Sequence, residues 1–351
     1  MTVISKNKLI IEIEELLNKD LEHFSIVDVR SPSEYLNDNI PYATNIPILD
    51  DKEREIVGIT YKNEGPFKAK IKALNLIHTG LPEILEKIID ISKNKSELII
   101  YCARGGARSE VVQTLLNLLQ VKSLKLSGGY KTFRRSVFNF FEYSKLPQCI
   151  TLYGPTGSGK TLILNNLYEA GFSVVNLESS AANKGSNFGY IGEKNFNSIT
   201  QKKFETSIWY SLYRQNYPEV IFIEGESKKI GKVVIPERLF LNMTSGIKIY
   251  MDMPIKKRID FIISEYQPHI YKNDIISAFK SIVKYIGRAK STLLLKLLDE
   301  NRFDEFVELI LKIYYDPLYY HSFPEHFDYK LTYNSVEEAQ DKLKDIYHRI
   351  Y

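Results

Sequence analysis

Cysteine is scarce in this 351-residue chain, which has only Cys102 and Cys149. A single pair cannot staple so long a chain, so a disulfide scaffold is excluded as its source of stability. Two cysteines are too few for a zinc cluster, and with no His-Glu-x-x-His a structural metal site is not expected. No apolar run approaches the roughly 18 residues that a membrane-spanning helix needs. The opening stretch is interrupted by Lys6, Lys8, Glu12 and Glu14, unlike the apolar stretch of a secretory signal. Excess charge is missing as well. The balance of 47 Lys and Arg against 43 Asp and Glu leaves +4, too little for a histone-like or coat-like protein but compatible with a local basic face. No repeat or low-complexity tract interrupts the chain. The expectation is a soluble protein of a reducing cytoplasm, with no membrane partner.

What is present is a rhythm of short apolar runs separated by helical patterns, which predicts an α/β fold. The length itself exceeds one core at about 150 residues per domain. Strands are expected at 24–29, 98–101 and 123–126, with a helix over 109–119. A second series follows, with strands at 149–153, 173–177, 220–223 and 247–251 and a helix over 160–170. From Lys256 onward the pattern is mostly helical. The expected division is therefore a first domain over 1–133, a connection over 134–147, a second domain over 148–254, and a mostly helical part over 255–351 packed on the second domain. The connection holds Phe138, Phe140, Phe141 and Tyr143, too aromatic for a free linker, so a packed helix is expected there. The polar segment from about Asp50 to Gly80 reads as a long connection of functional interest.

Two glycine-rich loops each lie between a strand and a helix. The first is Cys102-Ala103-Arg104-Gly105-Gly106-Ala107-Arg108-Ser109. Loop amides, the helix dipole, Arg104 and Arg108 all favour an anion here, so Cys102 is expected to be a thiolate nucleophile, with Gly105 and Gly106 shaping the loop. The plainer alternative is a buried strand-end thiol. Two chemistries use such a loop. One is phosphoester hydrolysis, whose Cys-x5-Arg spacing Cys102 and Arg108 meet. The other is transfer of sulfur or selenium carried on the cysteine.

The second loop, Gly154-Pro155-Thr156-Gly157-Ser158-Gly159-Lys160-Thr161, matches the phosphate-binding G-x-x-x-x-G-K-[ST] pattern. Gly154, Gly157, Ser158 and Gly159 would turn backbone amides toward a di- or triphosphate. Lys160 would add charge, and Thr161 would reach a phosphate oxygen or a metal. After the strand at 220–223, Glu224 and Glu226 stand where a partner carboxylate is expected. Either could hold Mg²⁺ or act as a base, and either could pair with Lys228 or Lys229.

The first half resembles the rhodanese (sulfurtransferase) family. The resemblance lies in Asp28-Val29-Arg30 with Ser33-Glu34-Tyr35, in Ile40 to Pro47, in the Cys102 loop, and in Leu126-Ser127-Gly128-Gly129-Tyr130. Tyr101 stands where phosphatases with this loop place His, and Asp28 with Arg30 reads as a structural pair. Most of the chain resembles the tRNA 2-selenouridine synthase family. The further residues carrying this are Tyr61 to Lys70, Tyr101 to Ser109, Asn176-Leu177-Glu178, Gly185 to Gly189 and Ile223 to Ser227. It departs from that pattern at Ala103, at Asn183-Lys184 and at Gly225.

The resemblance implies a rhodanese-like α/β domain followed by a P-loop NTPase-like α/β domain with a helical C-terminal extension. It also implies an enzyme acting on the wobble 2-thiouridine in a tRNA anticodon loop. A geranyl group from geranyl diphosphate would first be placed on the sulfur. Selenium from selenophosphate would then replace it, carried on Cys102 as a perselenide, with Arg104 and Arg108 binding the anion. No tightly bound cofactor is expected, and Mg²⁺ stays open. Lys62, Lys68, Lys70, Arg134, Arg135, Lys228, Lys229 and Lys232 are candidates for tRNA contact. The aromatic run Tyr314 to Tyr320 is either a stacking platform or core. The rival reading is a sulfurtransferase coupled to a nucleotide-hydrolysing P-loop switch.

Overall fold

A computed structural model of the chain describes residues 9–93, 97–193 and 196–351. Lys6 and Lys8 of the opening stretch lie outside the described residues. The chain divides into two compact units, Met1–Phe140 and Phe141–Tyr351. Among the described residues no helix is long and apolar enough to cross a membrane.

In the first unit the strands are β1 (Ile10–Ile11), β2 (Phe24–Asp28), β3 (Thr44–Asn45), β4 (Glu97–Tyr101) and β5 (Leu124–Leu126). They form a parallel sheet in the order β1-β5-β4-β2-β3. Every residue of β2 and all but the first of β4 are buried. Helices cover a parallel sheet on both faces, so these strands read as continuous apolar runs. One expectation is corrected. The segment around 50–80 is no open connection but two helices, Asp51–Glu64 and Pro66–Ile77. A capping box of Asp50 with Glu53 starts the first. Gly65 at φ +89° breaks the run, and Pro66 opens the second. The expected connection from 134 onward continues the helix Gly129–Tyr143, with Phe133 and Val137 buried.

In the second unit the strands are β6 (Gln148–Tyr153), β7 (Val174–Val175), β8 (Val220–Glu224), β9 (Lys229–Ile230), β10 (Val233–Val234), β11 (Ile247–Asp252) and β12 (Tyr329–Thr332). The parallel sheet runs β12-β11-β6-β8-β7, and β9 pairs antiparallel with β10. The earliest strand therefore lies between two later ones, the kind of switch point at which open α/β sheets place ligands.

The helical part is also revised. Helices between Ile255 and Ser322 close around their own core, with Phe279, Leu294 and Leu298 fully buried. The chain then returns to the sheet. β12 pairs with β11 in register Met251↔Leu331, and Val336, Ala339 and Leu343 of helix Val336–Ile350 join Ile163, Leu164 and Leu167 in the sheet core. The final 20-odd residues complete the P-loop fold, and the preceding helices are an insertion in it.

Candidate active site

The first loop leaves β4 and enters the helix Ala107–Leu118. Gly105 turns it at φ +62°, and a Cβ there would meet the Leu126 carbonyl oxygen at 2.8 Å. Gly106 differs, since its φ is negative and a Cβ would meet nothing within 4 Å. The loop is pinned from outside by amides of the closing helix. Tyr130 N donates to the Cys102 carbonyl at 2.9 Å, and Lys131 N donates to Ala103 at 3.0 Å. Gly129 permits this approach, because a Cβ on it would lie 2.2 Å from that Cys102 oxygen.

Both cysteines are buried, yet their chemistry diverges. Burial alone acts on Cys149 and pushes its thiol up to about 12. At Cys102 burial also opposes the thiolate. The Ser109 hydroxyl at 3.2 Å, the amides of Ser109 and Arg104, and the charge of Arg108 outweigh it and hold the thiol below its ordinary value. Ser109 is a functional residue that the sequence reading passed over. Its side chain is fully buried one helical turn into the anion loop. Replacing Ser109 by Ala removes a donor from the thiolate. The pH midpoint for alkylation of Cys102 by iodoacetamide should therefore move up, with little change in thermal stability. An unchanged midpoint would show that Ser109 does not tune the sulfur.

The two arginines separate. Arg108 makes a forked pair with Glu34 at 2.6 and 3.3 Å, and Arg54 adds a contact at 3.1 Å. Burial opposes the Glu34 carboxylate, but the two arginines hold it below the usual range. Arg108 thus contributes its field to Cys102 while its fork is engaged. Arg104 is exposed and has no ion-pair partner among the described residues. Asp28 and Arg30 form a buried pair at 2.6 Å, with Arg30 also donating to the Asp38 carbonyl and lying 4.0 Å over the Tyr130 ring.

The second loop leaves β6 and enters the helix Lys160–Glu169. Gly157 and Gly159 both have positive φ, and a Cβ on Gly157 would strike Ile262 at 2.6 Å. Tyr333, just beyond β12, donates to the Ser158 carbonyl at 2.5 Å. Arg258 donates to the Thr156 carbonyl at 2.9 Å while forking onto Asp316 at 3.0 and 2.6 Å. The insertion and the final strand therefore both hold the loop's shape. Lys160 is buried and donates to the Gly154 carbonyl at 2.9 Å. Thr161 donates to Glu178 at 2.5 Å. Glu178, not singled out as a site residue from the sequence, therefore joins Glu224 and Glu226.

Glu224 is fully buried and accepts from the Leu177 amide at 2.6 Å. Burial first, and Glu178 second, push the Glu224 and Glu226 carboxyls up, while Lys160 opposes this at both. One oxygen of each, Oε1, makes no hydrogen bond. Neither carboxylate pairs with Lys228 or Lys229, since Lys228 pairs with Glu237. Among the described residues no group of three or more His, Cys, Asp or Glu is placed to hold a metal ion.

Two cavities meet at this loop. A cleft holds the loop with Lys160, Thr161 and Glu178. An apolar cavity lies in the helical insertion, lined by Phe303, Phe306, Val307 and Ile310, and shares Thr156, Ile262 and Tyr266 with the cleft. A third opens beside Glu226. Of the aromatic run, Tyr314 and Tyr315 are core, whereas Tyr319 lies 5.9 Å from the Lys160 ammonium and lines the cleft. Of the candidate lysines, Lys68 pairs with Glu64 and Lys232 lies over Phe196. At the departures from the family pattern, Asn183 is buried and Lys184 pairs with Glu265 at 2.9 Å.

A low-pKa cysteine on a rhodanese-type loop, joined in one chain to a phosphate-binding loop, defines a two-site protein of the group-transfer class. Residues 11–136 match the rhodanese-like domain, and residues 147–349 match the family described as the tRNA 2-selenouridine synthase AAA domain. Proteins named tRNA 2-selenouridine synthase are similar along most of the chain. The one from Nitrosomonas europaea is 31% identical over 73% of this chain and 67% of its own length. That from Sulfurovum sp. is 27% identical over 93% of this chain and 96% of its own. The chain belongs to the tRNA 2-selenouridine synthase family.

Proposed function

We propose that this chain is a tRNA-modifying enzyme that converts the wobble 2-thiouridine to 2-selenouridine in two steps. Geranyl diphosphate first alkylates the sulfur. The Cys102 thiolate then attacks the selenium of selenophosphate, and the Se–P bond breaks with its pair on phosphorus. The perselenide so formed attacks C2 as geranyl thiolate leaves, after which an added thiol reduces the S–Se bond and frees 2-selenouridine. The names of the relatives support the overall conversion. The observation that carries the first step is the apolar cavity opening beside the phosphate loop. A diphosphate with a hydrocarbon tail suits that pair of surfaces. A nucleoside would have to set ribose hydroxyls and ring nitrogens against the apolar wall of Phe303, Phe306, Val307 and Ile310, a cost that a hydrocarbon tail avoids.

In this reading Lys160 neutralises the leaving diphosphate as its C–O bond breaks, and the loop amides share that charge. Arg104 receives selenophosphate, and Ser109 with Arg108 keeps the Cys102 sulfur anionic. The tail's place is tested by Val307→Phe, which fills the cavity. KM for geranyl diphosphate should rise about 10–100-fold, the usual cost of ~1–3 kcal/mol for misfit in an apolar pocket. Affinity for inorganic diphosphate should stay as in wild type. An unchanged KM, or tRNA-independent ATP turnover by the wild type, would favour the nucleotide switch instead.

A further inference from the structure

The third cavity, about 1810 Å³ and open to solvent, begins where β8 ends. Its walls are aromatic, with Tyr153, Phe240, Tyr319 and Phe323, and Lys229 and Lys248 stand along its lining. Tyr153 lies flat on the backbone at Gly225, where a Cβ would come within 2.4 Å of the ring. At the inner end sits Glu226, 9% exposed, with Oε1 unpartnered. Glu178 lies just behind it. A Cβ on Gly185 would touch both carboxylates, at 2.6 and 3.0 Å. The cavity shares Tyr319 with the phosphate cleft, and Ser186 and Tyr315 with the apolar one. Aromatic side chains, lysines along the lining and a buried carboxyl with one oxygen unpartnered suit a nucleobase stacked at its faces, read at one edge and trailed by phosphates.

The alkylation chemistry, which rests on the function proposed above, makes that carboxyl necessary. 2-Thiouracil carries a proton on N3, next to the C2–S bond. When the sulfur bonds to geranyl C1, the C1–O bond breaks and its electron pair leaves on the diphosphate at Lys160. The ring stays neutral only if N3 loses its proton and C2=S becomes C2=N3. We propose that this cavity takes the wobble pyrimidine with its N3 edge on Glu226, and that the Glu226 carboxylate accepts the N3 proton as the S–C bond forms. Burial, Glu178 and Glu224 push this carboxyl well up from the ordinary range, while Lys160 pulls the other way, so only its ionised fraction accepts the proton and the rate should climb with pH.

The test uses the full chain, geranyl diphosphate, and tRNA bearing wobble 2-thiouridine. Glu226→Gln should lower kcat for S-geranylation by about 10²-fold or more, the order a general base contributes. It should leave KM for geranyl diphosphate unchanged and melting no lower. Added formate should restore part of the rate to Glu226→Ala, which leaves room for a small carboxylate. If wild type geranylates and Glu226→Gln does so within about threefold, or if only KM for the diphosphate moves, the inference is overturned and the proposed function stands. If wild type itself transfers no geranyl group, the function proposed above has failed, and the inference falls with it.

Discussion

Replacing Cys102 by Ser is expected to abolish selenium incorporation while leaving S-geranylation of the same tRNA intact. In the proposed function the Cys102 sulfur is the carrier, and its surroundings favour a thiolate. Two amides, the Ser109 hydroxyl and the field of Arg108 hold the thiol low despite near-complete burial. A serine hydroxyl at the same place stays protonated and cannot carry selenium. The loss should be ~10³-fold or more, in keeping with removal of a nucleophile elsewhere. The phosphate loop lies in the other compact unit, so geranylated tRNA should accumulate. Liquid chromatography with mass spectrometry of digested tRNA reads both species at once. Full selenation by the serine variant would remove Cys102 from the mechanism.

The opposite phenotype is expected of Lys160→Ala. Its ammonium is buried at the phosphate loop and held on the Gly154 carbonyl, ready for the charge that develops on a departing diphosphate. Losing such a preorganised charge costs ~10²–10³-fold in rate, so geranylation should fall by that order. Selenation of tRNA that is already geranylated should proceed near the wild-type rate. A second effect follows from the neighbours. Lys160 is the cation that opposes protonation of both Glu224 and Glu226, so its removal moves their carboxyls further up. The residual geranylation should therefore need a higher pH than wild type does. Equal losses in both steps would mean that one loop serves the whole reaction.

The parts of this account that were legible in the sequence are those whose physics is local. The strand, glycine turn and helix around Cys102 and around Lys160 lie within a dozen residues. Their spacing alone dictates where amides and side chains converge. Strands β2, β4, β6 and β8 announced themselves because burial on both faces demands unbroken apolar runs. What stayed hidden was set by partners distant in the chain. The Arg108–Glu34 fork joins residues 74 apart, and the Arg258–Asp316 fork 58 apart. Neither has a spacing that a motif would show. The helix Asp51–Glu64 was missed because none of its residues is buried, so it carries no apolar stripe to read. β12 was missed for a related reason. It is an edge strand with a single buried residue, Leu331, following a long helical insertion. Glu178 lay within a recognised stretch, but only its bond to Thr161 and its nearness to Glu226 reveal its role.

The central claim is that one chain exchanges sulfur for selenium on a tRNA base by way of a geranylated intermediate. It is tested most directly by incubating the purified protein with tRNA bearing wobble 2-thiouridine, geranyl diphosphate, selenophosphate and a thiol reductant, then following the wobble nucleoside by mass over time. The account predicts S-geranyl-2-thiouridine rising first and 2-selenouridine replacing it, with no nucleotide consumed. Unchanged 2-thiouridine, or 2-selenouridine formed at full rate without geranyl diphosphate, would contradict it.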